Sequence, residues 1–219
     1  MKELSFYKNS VPSYLSMEMM NKLYRRIVGY IMQTQMYRYL LKHVIPYIRF
    51  TTYYTNLRGK TYHALYQQLL PGDIILTIDK KKLTTLLIPG EFSHAAMCVS
   101  LDAEWEVSEM THSDYTKSCF FDICKESDRV VIMRCKKITE DQLTKAIEKC
   151  KSLEDATYDA EFSLGIEELY CSELIYVSYE NNLIEANLED FVGLGRDYIS
   201  PVGLYHAKNL KIVVDSDLL

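Results

Sequence analysis

The sequence predicts an α+β fold, with a helical region in front of a core of mixed strands and helices. From Leu15 to Ile45, apolar residues recur at spacings of three and four, which is typical of amphipathic helices. After Pro71-Gly72 the pattern changes to short apolar runs bounded by turn residues, which favours strands. Further on, Thr139 followed by Gln142 is a helix-capping pattern, and it predicts a helix that runs to Leu153.

Charge and tyrosine content separate the beginning of the chain from the rest. Residues 1–60 hold ten Lys or Arg and only two Asp or Glu, although the whole chain carries a net charge of −5. Eleven of the eighteen tyrosines fall within the first 66 residues. We therefore predict two units, a basic, tyrosine-rich helical extension over residues 1–66 and a second domain over residues 67–219.

Two interpretations of the extension remain open. In the first, its apolar stripe of Met20, Leu23, Ile27 and Ile31 packs on the second domain. In the second, residues 1–60 form a basic amphipathic surface that docks on an anionic membrane or a protein partner. No specific nucleic-acid partner is predicted. An extension of this kind can also cover a cleft in the second domain.

The second domain is predicted to alternate strands with turns before its helices. The segment Leu83–Ile88 fits either a strand or a short helix, and Tyr115–Phe121 is expected to be extended. Polar or turn residues bound most of the remaining apolar runs. These remaining apolar runs are predicted to be strands. They are Ile74–Ile78, Ser93–Ser100, Trp105–Met110, Arg129–Cys135 and a last edge strand at Ile212–Val214.

Composition excludes several classes of protein. With 48% hydrophobic residues the chain can bury a core, so disorder is not expected. It contains no run of 18 apolar residues, so no membrane-spanning helix is predicted. The first ten residues do not resemble a secretory signal, and the six cysteines are scattered, so we expect reduced thiols in the cytoplasm.

No metal or cofactor is predicted from the pattern of ligand-type residues. A zinc site would have to combine His94, Cys98, Cys119 and Cys124, but their spacing matches no standard zinc motif. We therefore expect chemistry performed by side chains alone.

Cys171 stands out because it begins a predicted helix. Leu174, Ile175 and Ser178 repeat at helical spacing after it, and Ser172 with Glu173 suits a first helical turn. Unpaired backbone N–H groups and the helix dipole favour a thiolate at such a position. A buried structural cysteine is the competing interpretation.

Four segments in a fixed order resemble the permuted papain-like amidases of the YaeF/YiiX type, a branch of the NlpC superfamily of cysteine peptidases. The resemblance extends from about Leu70 to about His206. The segments are Gly72-Asp73-Ile74, Pro89-Gly90-Glu91-Phe92-Ser93-His94, a strand that ends at Glu109, and Tyr170-Cys171-Ser172-Glu173-Leu174. The family's circular permutation implies that the histidine precedes the cysteine, as it does here.

The resemblance implies a permuted papain-like fold, in which helices pack on an antiparallel sheet, and a set of catalytic residues. Cys171 would be the nucleophile, His94 the base and Glu109 the group that orients the base. Since it begins a helix, the backbone N–H of Cys171 is the expected oxyanion donor, and Tyr170 is expected to help shape that pocket. His112 is the alternative third member. Asp73 is expected to cap backbone N–H groups rather than take part in chemistry.

The function implied is hydrolysis of an amide bond through an acyl-enzyme, with a peptide, isopeptide or cell-wall-type peptide as substrate. An alternative is a lipid-directed thioesterase or acyltransferase at a membrane surface, which would take an acyl substrate. A catalytically inactive binding module of the same fold is the third hypothesis, although the presence of Cys171, His94 and Glu109 together argues against it.

Overall fold

A computed structural model describes seven stretches of the chain. These are residues 14–50, 57–88, 90–102, 105–165, 168–180, 183–190 and 195–219. The sequence also predicts a loop around Pro12 at residues 11–14 and a short strand or loop at the β-prone residues 50–54, and most of both segments lies outside these stretches.

The described elements form an α+β domain in which helices precede and cover one large sheet. The helices are α1 (Tyr14–Met32), α2 (Gln35–His43), α3 (Lys60–Tyr66), α4 (Thr84–Leu87), α5 (Phe120–Glu126), α6 (Glu140–Ser152), α7 (Cys171–Ser178) and α8 (Pro201–Tyr205). The strands are β1 (Ile74–Ile78), β2 (His94–Cys98), β3 (Val107–Thr111), β4 (Asp114–Ser118), β5 (Arg129–Cys135), β6 (Thr157–Tyr158), β7 (Glu168–Leu169), β8 (Glu189–Asp190), β9 (Asp197–Tyr198) and β10 (Leu210–Asp215).

Six strands form the large sheet, in the order β10-β5-β1-β2-β3-β4 with every neighbouring pair antiparallel. The central strand β1 is buried along its whole length, as its uninterrupted apolar sequence predicts. One face of the sheet is covered by α7, with α6 packed against α7. The other face is covered by α3 and α5, whose Leu65, Phe120 and Ile123 join a second apolar cluster. The predicted antiparallel sheet packed by helices is therefore confirmed.

The single helical pattern predicted from Leu15 to Ile45 forms two helices. Thr34 separates them because its hydroxyl donates to the carbonyl of Ile31 (2.7 Å) and accepts from the N–H of Tyr37 (3.2 Å). One side chain thus ends α1 and caps α2. A 3₁₀ turn at Ile45–Tyr47 follows, with Pro46 near its start.

Two local predictions in the core were wrong. The extended segment predicted to reach Phe121 ends at Ser118, and α5 begins at Phe120. Burial decides this, since a helix places Phe120, Ile123 and Cys124 together against α3 and the sheet. The strand predicted from Trp105 begins only at Val107, and Trp105 remains 45% exposed.

Two other predictions, on a helix cap and on an edge strand, were confirmed. The capping box of Thr139 and Gln142 is present at the start of α6. The residues predicted as the last edge strand lie in β10, at one edge of the sheet. None of the helices in the described ranges combines the length and apolar content that a membrane crossing requires.

Candidate active site

Cys171 is the first residue of α7, and its side chain is only 3% exposed. Tyr170 precedes it in an extended conformation, so the chain turns sharply into the helix. The side-chain oxygens of Glu173 accept hydrogen bonds from the N–H groups of Gly165 (2.6 Å) and Tyr170 (3.4 Å). The Ser172 hydroxyl donates to the carbonyl of Ile199 at 2.7 Å. These contacts fix the thiol where the helix presents its N–H groups.

His94 and Glu109 come together through the pairing of β2 with β3. Ala96 lies directly opposite Glu109, and His94 is two residues from Ala96, on the same face of β2. Nε2 of His94 is 2.6 Å from Oε2 of Glu109. Glu109 also accepts a hydrogen bond from the Ser118 hydroxyl on the neighbouring strand β4. Since Nε2 of His94 is bonded to the carboxylate of Glu109, Nδ1 is the ring nitrogen that is available to a second side chain or to a substrate.

Cys171 and His94 line the same cavity, and each shifts the pKa of the other. Burial alone would lower the pKa of His94, but hydrogen bonds to Cys171 and Glu109 raise the pKa to about 10. Burial would likewise raise the pKa of Cys171. The hydrogen bond and charge of His94, with the backbone N–H groups of Ala95 and Ser172, instead lower it below its ordinary value. The arrangement favours a thiolate next to an imidazolium.

Glu109 is held in its charged form by the same network. Burial would raise the pKa of its carboxyl group, but the hydrogen bond and charge of His94 and the hydrogen bond from Ser118 lower the pKa. A charged carboxylate behind the histidine orients the ring and stabilises its protonated form.

A cavity of about 400 Å³ opens next to Cys171 and His94. Apolar side chains contribute part of its wall, among them Leu41 and Pro46 from the N-terminal region and Met110 from β3. Hydroxyl groups contribute much of the remainder. They belong to Thr77, Thr84, Thr85, Ser93, Thr111, Ser113, Thr116, Ser118 and Ser127.

A family model described as permuted papain-like amidase enzyme, YaeF/YiiX, C92 family, matches residues 68–212. The chain belongs to this family. As a member of the permuted papain-like amidases it has the histidine before the cysteine, in a fold where Cys171 begins a helix and His94 begins a strand. Comparison with curated proteins gave no match.

A solved structure similar to this amidase family member is described as the crystal structure of metalloprotein yiiX from Escherichia coli O157:H7, DUF1105. The two chains are 20% identical, with a TM-score of 0.57, over 67% of this chain and 97% of that chain. The shared fold is thus the permuted papain-like one. That protein is called a metalloprotein, whereas the described residues of this family member contain no group of three His, Cys, Asp or Glu side chains placed to hold a metal ion.

The two candidates for the third catalytic residue, Glu109 and His112, lie in different places in this family member. Glu109 is bonded to His94, whereas Nε2 of His112 lies 3.3 Å from the hydroxyl of Tyr47. Asp73 caps the N–H of Leu70 at 2.8 Å, as predicted, and also pairs with Arg134.

Tyr158, rather than Tyr170, is the tyrosine on the described wall of the cavity. The ring of Tyr170 is fully buried, and its hydroxyl accepts a hydrogen bond from the N–H of Ile199 at 3.0 Å. Tyr158 is linked to Tyr170 through ring contacts that both make with Phe162. Burial and the nearby charge of Cys171 raise the pKa of Tyr158, so its hydroxyl stays protonated.

Sequence reasoning missed several contributors to the site. Ser118 was placed in an extended segment, but no motif marked it as a partner of Glu109, because that contact depends on the register of β3 and β4. Leu41 and Pro46 were noted only as parts of the extension, and a sequence pattern does not reveal which surface an appendage covers.

Proposed function

We propose that this protein is a cysteine hydrolase that cleaves an amide bond in a polar, peptide-like substrate through an acyl-enzyme. The observation that carries the proposal is that Cys171, at the start of a helix, lines one cavity together with a histidine that is itself bonded to Glu109. Nucleophile, base and orienting group are the three parts that such a reaction needs.

In the first half of the reaction, the Cys171 thiolate attacks the carbonyl carbon of the substrate. The oxygen gains negative charge, and the backbone N–H of Cys171 at the helix start is the proposed donor to it. The protonated Nδ1 of His94 gives its proton to the leaving nitrogen as the C–N bond breaks. The products of this half are a free amine and a thioester on Cys171.

In the second half, water replaces the amine. Nδ1 of His94 removes a proton from the water as its oxygen attacks the thioester carbon. The C–S bond then breaks, the acyl group leaves as a carboxylic acid, and the thiolate of Cys171 returns next to protonated His94. Glu109 keeps the ring oriented throughout and remains charged.

The cavity wall offers polar partners to an amide substrate, alongside the apolar surface that makes up most of its area. Many of its side chains carry hydroxyl groups, and Asp79, Lys82 and Glu126 add charge. Hydroxyl and charged groups form hydrogen bonds with amide and carboxylate groups, whereas an alkyl chain would leave them without partners. This supports an amide substrate with several polar groups, such as a short peptide, an isopeptide or a cell-wall-type peptide.

The test begins with iodoacetamide labelling at mildly acidic pH, followed by peptide mapping. Cys171 should react faster than the other cysteines, and His94→Ala should abolish that advantage. A panel of peptide, isopeptide and γ-linked peptide amides is then screened, and Cys171→Ala should reduce turnover by at least about a thousandfold. Cys119→Ser is the matched control, because serine can keep the contact of Cys119 with Asp122. Turnover that survives Cys171→Ala would refute the proposal.

A second candidate is a lipid-directed thioesterase or acyltransferase at a membrane surface, and the surface of α1 favours it. Leu23, Ile27 and Tyr30 are at least half exposed, on a helix that also carries Arg25 and Arg26. Apolar side chains beside basic ones suit an anionic lipid surface. Vesicles of phosphatidylcholine with and without phosphatidylglycerol distinguish the two functions. Co-sedimentation only with the anionic vesicles, lost in a Leu23→Ser/Ile27→Ser variant, would support this candidate.

A further inference from the structure

Residues 35–50, here called the strap, contribute two side chains to the wall of the cavity that contains Cys171. The strap comprises α2, the following 3₁₀ turn and the residues up to Phe50. It lies outside the part of the chain that the family model matches, residues 68–212. Leu41 is 5% exposed and Pro46 is buried, and both side chains form part of the cavity wall.

One side of the cavity holds the strap through ion pairs and a ring contact. Nζ of Lys42 is 2.8 Å from both carboxylate oxygens of Asp114, in the turn between β3 and β4. Asp114 also accepts the N–H of Tyr158, so this tether reaches the cavity wall directly. Arg38 pairs with Glu161, and the ring of Tyr47 meets the edge of His112 with 5.2 Å between centroids.

The opposite side of the cavity holds the end of the strap through the backbone. The N–H of Leu83 donates to the carbonyl of Ile48 (3.1 Å), and the N–H of Phe50 donates to the carbonyl of Lys81 (2.8 Å). Arg49 adds an ion pair with Glu126 on α5 at 3.3 Å. Since the strap is attached on both sides, its central residues cannot leave the cavity wall without breaking one set of contacts.

The volume under the strap is small. About 400 Å³ lies at the lower end of the range for small-molecule sites, which is about 300–1,000 Å³. An extended polypeptide needs a cleft that is open at both ends of the cleaved bond, whereas a compact molecule needs only an enclosed space. We propose that the strap restricts the enzyme to small, compact amide substrates, with Leu41 and Pro46 as specificity-determining residues. This inference rests on the proposed function and names the substrate class of the same site.

The experiment compares two reagents that share one reactive group and differ only in size. N-ethylmaleimide is small, and a maleimide attached to a polyethylene glycol chain is bulky. Both are used on the full chain in a Cys119→Ser background, because Cys119 is the partly exposed competing thiol. Alkylation of Cys171 is followed by peptide mapping. In the otherwise unaltered protein the bulky reagent should react more slowly by more than about tenfold, the factor that an added barrier of about 1.4 kcal/mol gives.

An Arg38→Ala/Lys42→Ala variant removes two tethers and should raise the rate with the bulky reagent. Its rate with N-ethylmaleimide should stay the same, which also shows that the site is intact. Lys22→Ala/Arg26→Ala is the matched control, since it removes the same charge from exposed positions on α1 outside the strap. A second variant, Leu41→Ala, widens the cavity without touching an ion pair and should act in the same direction.

Equal rates with the two reagents in the unaltered protein would overturn the inference, as would a rate ratio that none of the strap variants changes. If the proposed hydrolase function is wrong, a different result is expected. N-ethylmaleimide should then label Cys171 slowly at mildly acidic pH. Because an ordinary thiol ionises near pH 8.5, the size ratio is also measured above that pH. The strap is therefore tested even if the thiol proves to be unactivated.

Discussion

Ser118 donates a hydrogen bond to one carboxylate oxygen of Glu109, while the other oxygen lies 2.6 Å from Nε2 of His94. Three adjacent strands thus supply one chain of hydrogen bonds, with His94 on β2, Glu109 on β3 and Ser118 on β4. The hydroxyl of Ser118 holds the carboxylate of Glu109 in place, and that carboxylate in turn orients the imidazole ring of His94. We expect Ser118 to act as a positioning residue, without contact with the substrate.

Replacement of Ser118 by alanine should weaken catalysis moderately. A lost intramolecular hydrogen bond is worth about 0.5–1.5 kcal/mol, which predicts a fall of roughly 2- to 13-fold in kcat/KM. Ser118→Thr keeps a hydroxyl and should retain most of the activity, and Ser152→Ala, at an exposed position of α6, is the control. An unchanged pH profile in Ser118→Ala would argue against the positioning role, since loss of the bond should raise the pKa of Glu109.

Glu109→Gln should make the reactivity of Cys171 depend more steeply on pH. Glutamine can still accept from Nε2, but the negative charge that helps to raise the pKa of His94 to about 10 is lost. The thiolate then loses its imidazolium partner at lower pH, so the pKa of Cys171 rises. Iodoacetamide labelling at pH 6 should slow by roughly tenfold for each unit of that rise and recover above the ordinary thiol pKa of about 8.5.

His112→Asn is the companion variant that separates the two candidates for the third member. Its ring contacts Tyr47 rather than His94, so the pH dependence of Cys171 labelling should remain that of the unaltered protein. A steeper pH dependence in His112→Asn with none in Glu109→Gln would assign the role to His112.

Glu173 should make folding stability fall as pH rises through neutrality. Burial raises the pKa of its carboxyl group to about 8, despite the hydrogen bonds from Gly165 and Tyr170. In the unfolded chain the ordinary value is about 4.3, so between these two values the folded protein binds more protons than the unfolded one. The free energy of unfolding therefore decreases across this window, by at most about 1.4 kcal/mol per pH unit.

Glu173→Gln removes this contribution and keeps an amide oxygen for one of the two N–H groups, since Oε1 accepts from Gly165 and Oε2 from Tyr170. Urea unfolding at pH 5 and pH 8 should show a smaller loss of stability with pH in the variant than in the unaltered protein. Other groups titrate in both proteins, so the difference between the two slopes isolates Glu173. Identical slopes would show that the carboxyl group is already charged at pH 5.

Asp73→Ala should destabilise the fold strongly without touching the site. Asp73 is 1% exposed, pairs with Arg134 at 2.6 Å and accepts the N–H of Leu70 at 2.8 Å. Arg134 is 29% exposed and can be solvated after the change, so the expected cost is about 1–3 kcal/mol, that of leaving a buried polar group without its partner. Asp102→Ala, in an exposed turn, should change the free energy of unfolding by less than about 0.5 kcal/mol. Chemical denaturation measures both, and similar values for the two variants would contradict the prediction.

The core strands and the start of the cysteine helix were predictable because they depend on local pattern. Ile74–Ile78 is a short apolar run after a Pro-Gly turn, and it forms the fully buried β1. Thr139 and Gln142 cap their helix through their own side chains, so neighbouring residues carry the whole signal. The order of the segments containing His94, Glu109 and Cys171 identified the family, which the match over residues 68–212 supports.

The tertiary structure decided what depends on distant residues meeting. The last residues of a predicted extended segment form α5 instead, because a helix lets them pack against α3. Helix and strand propensities are similar in this segment, so packing selects the helix. The register of β3 and β4 brought Ser118 to Glu109, and a shift of one residue would have turned it to the other face. Likewise, Leu41 and Pro46 line the cavity because ion pairs hold their segment in place. These pairs involve residues far along the chain, Asp114 and Glu161. Local sequence determines which elements form, whereas side-chain contacts between elements determine which residues share a site.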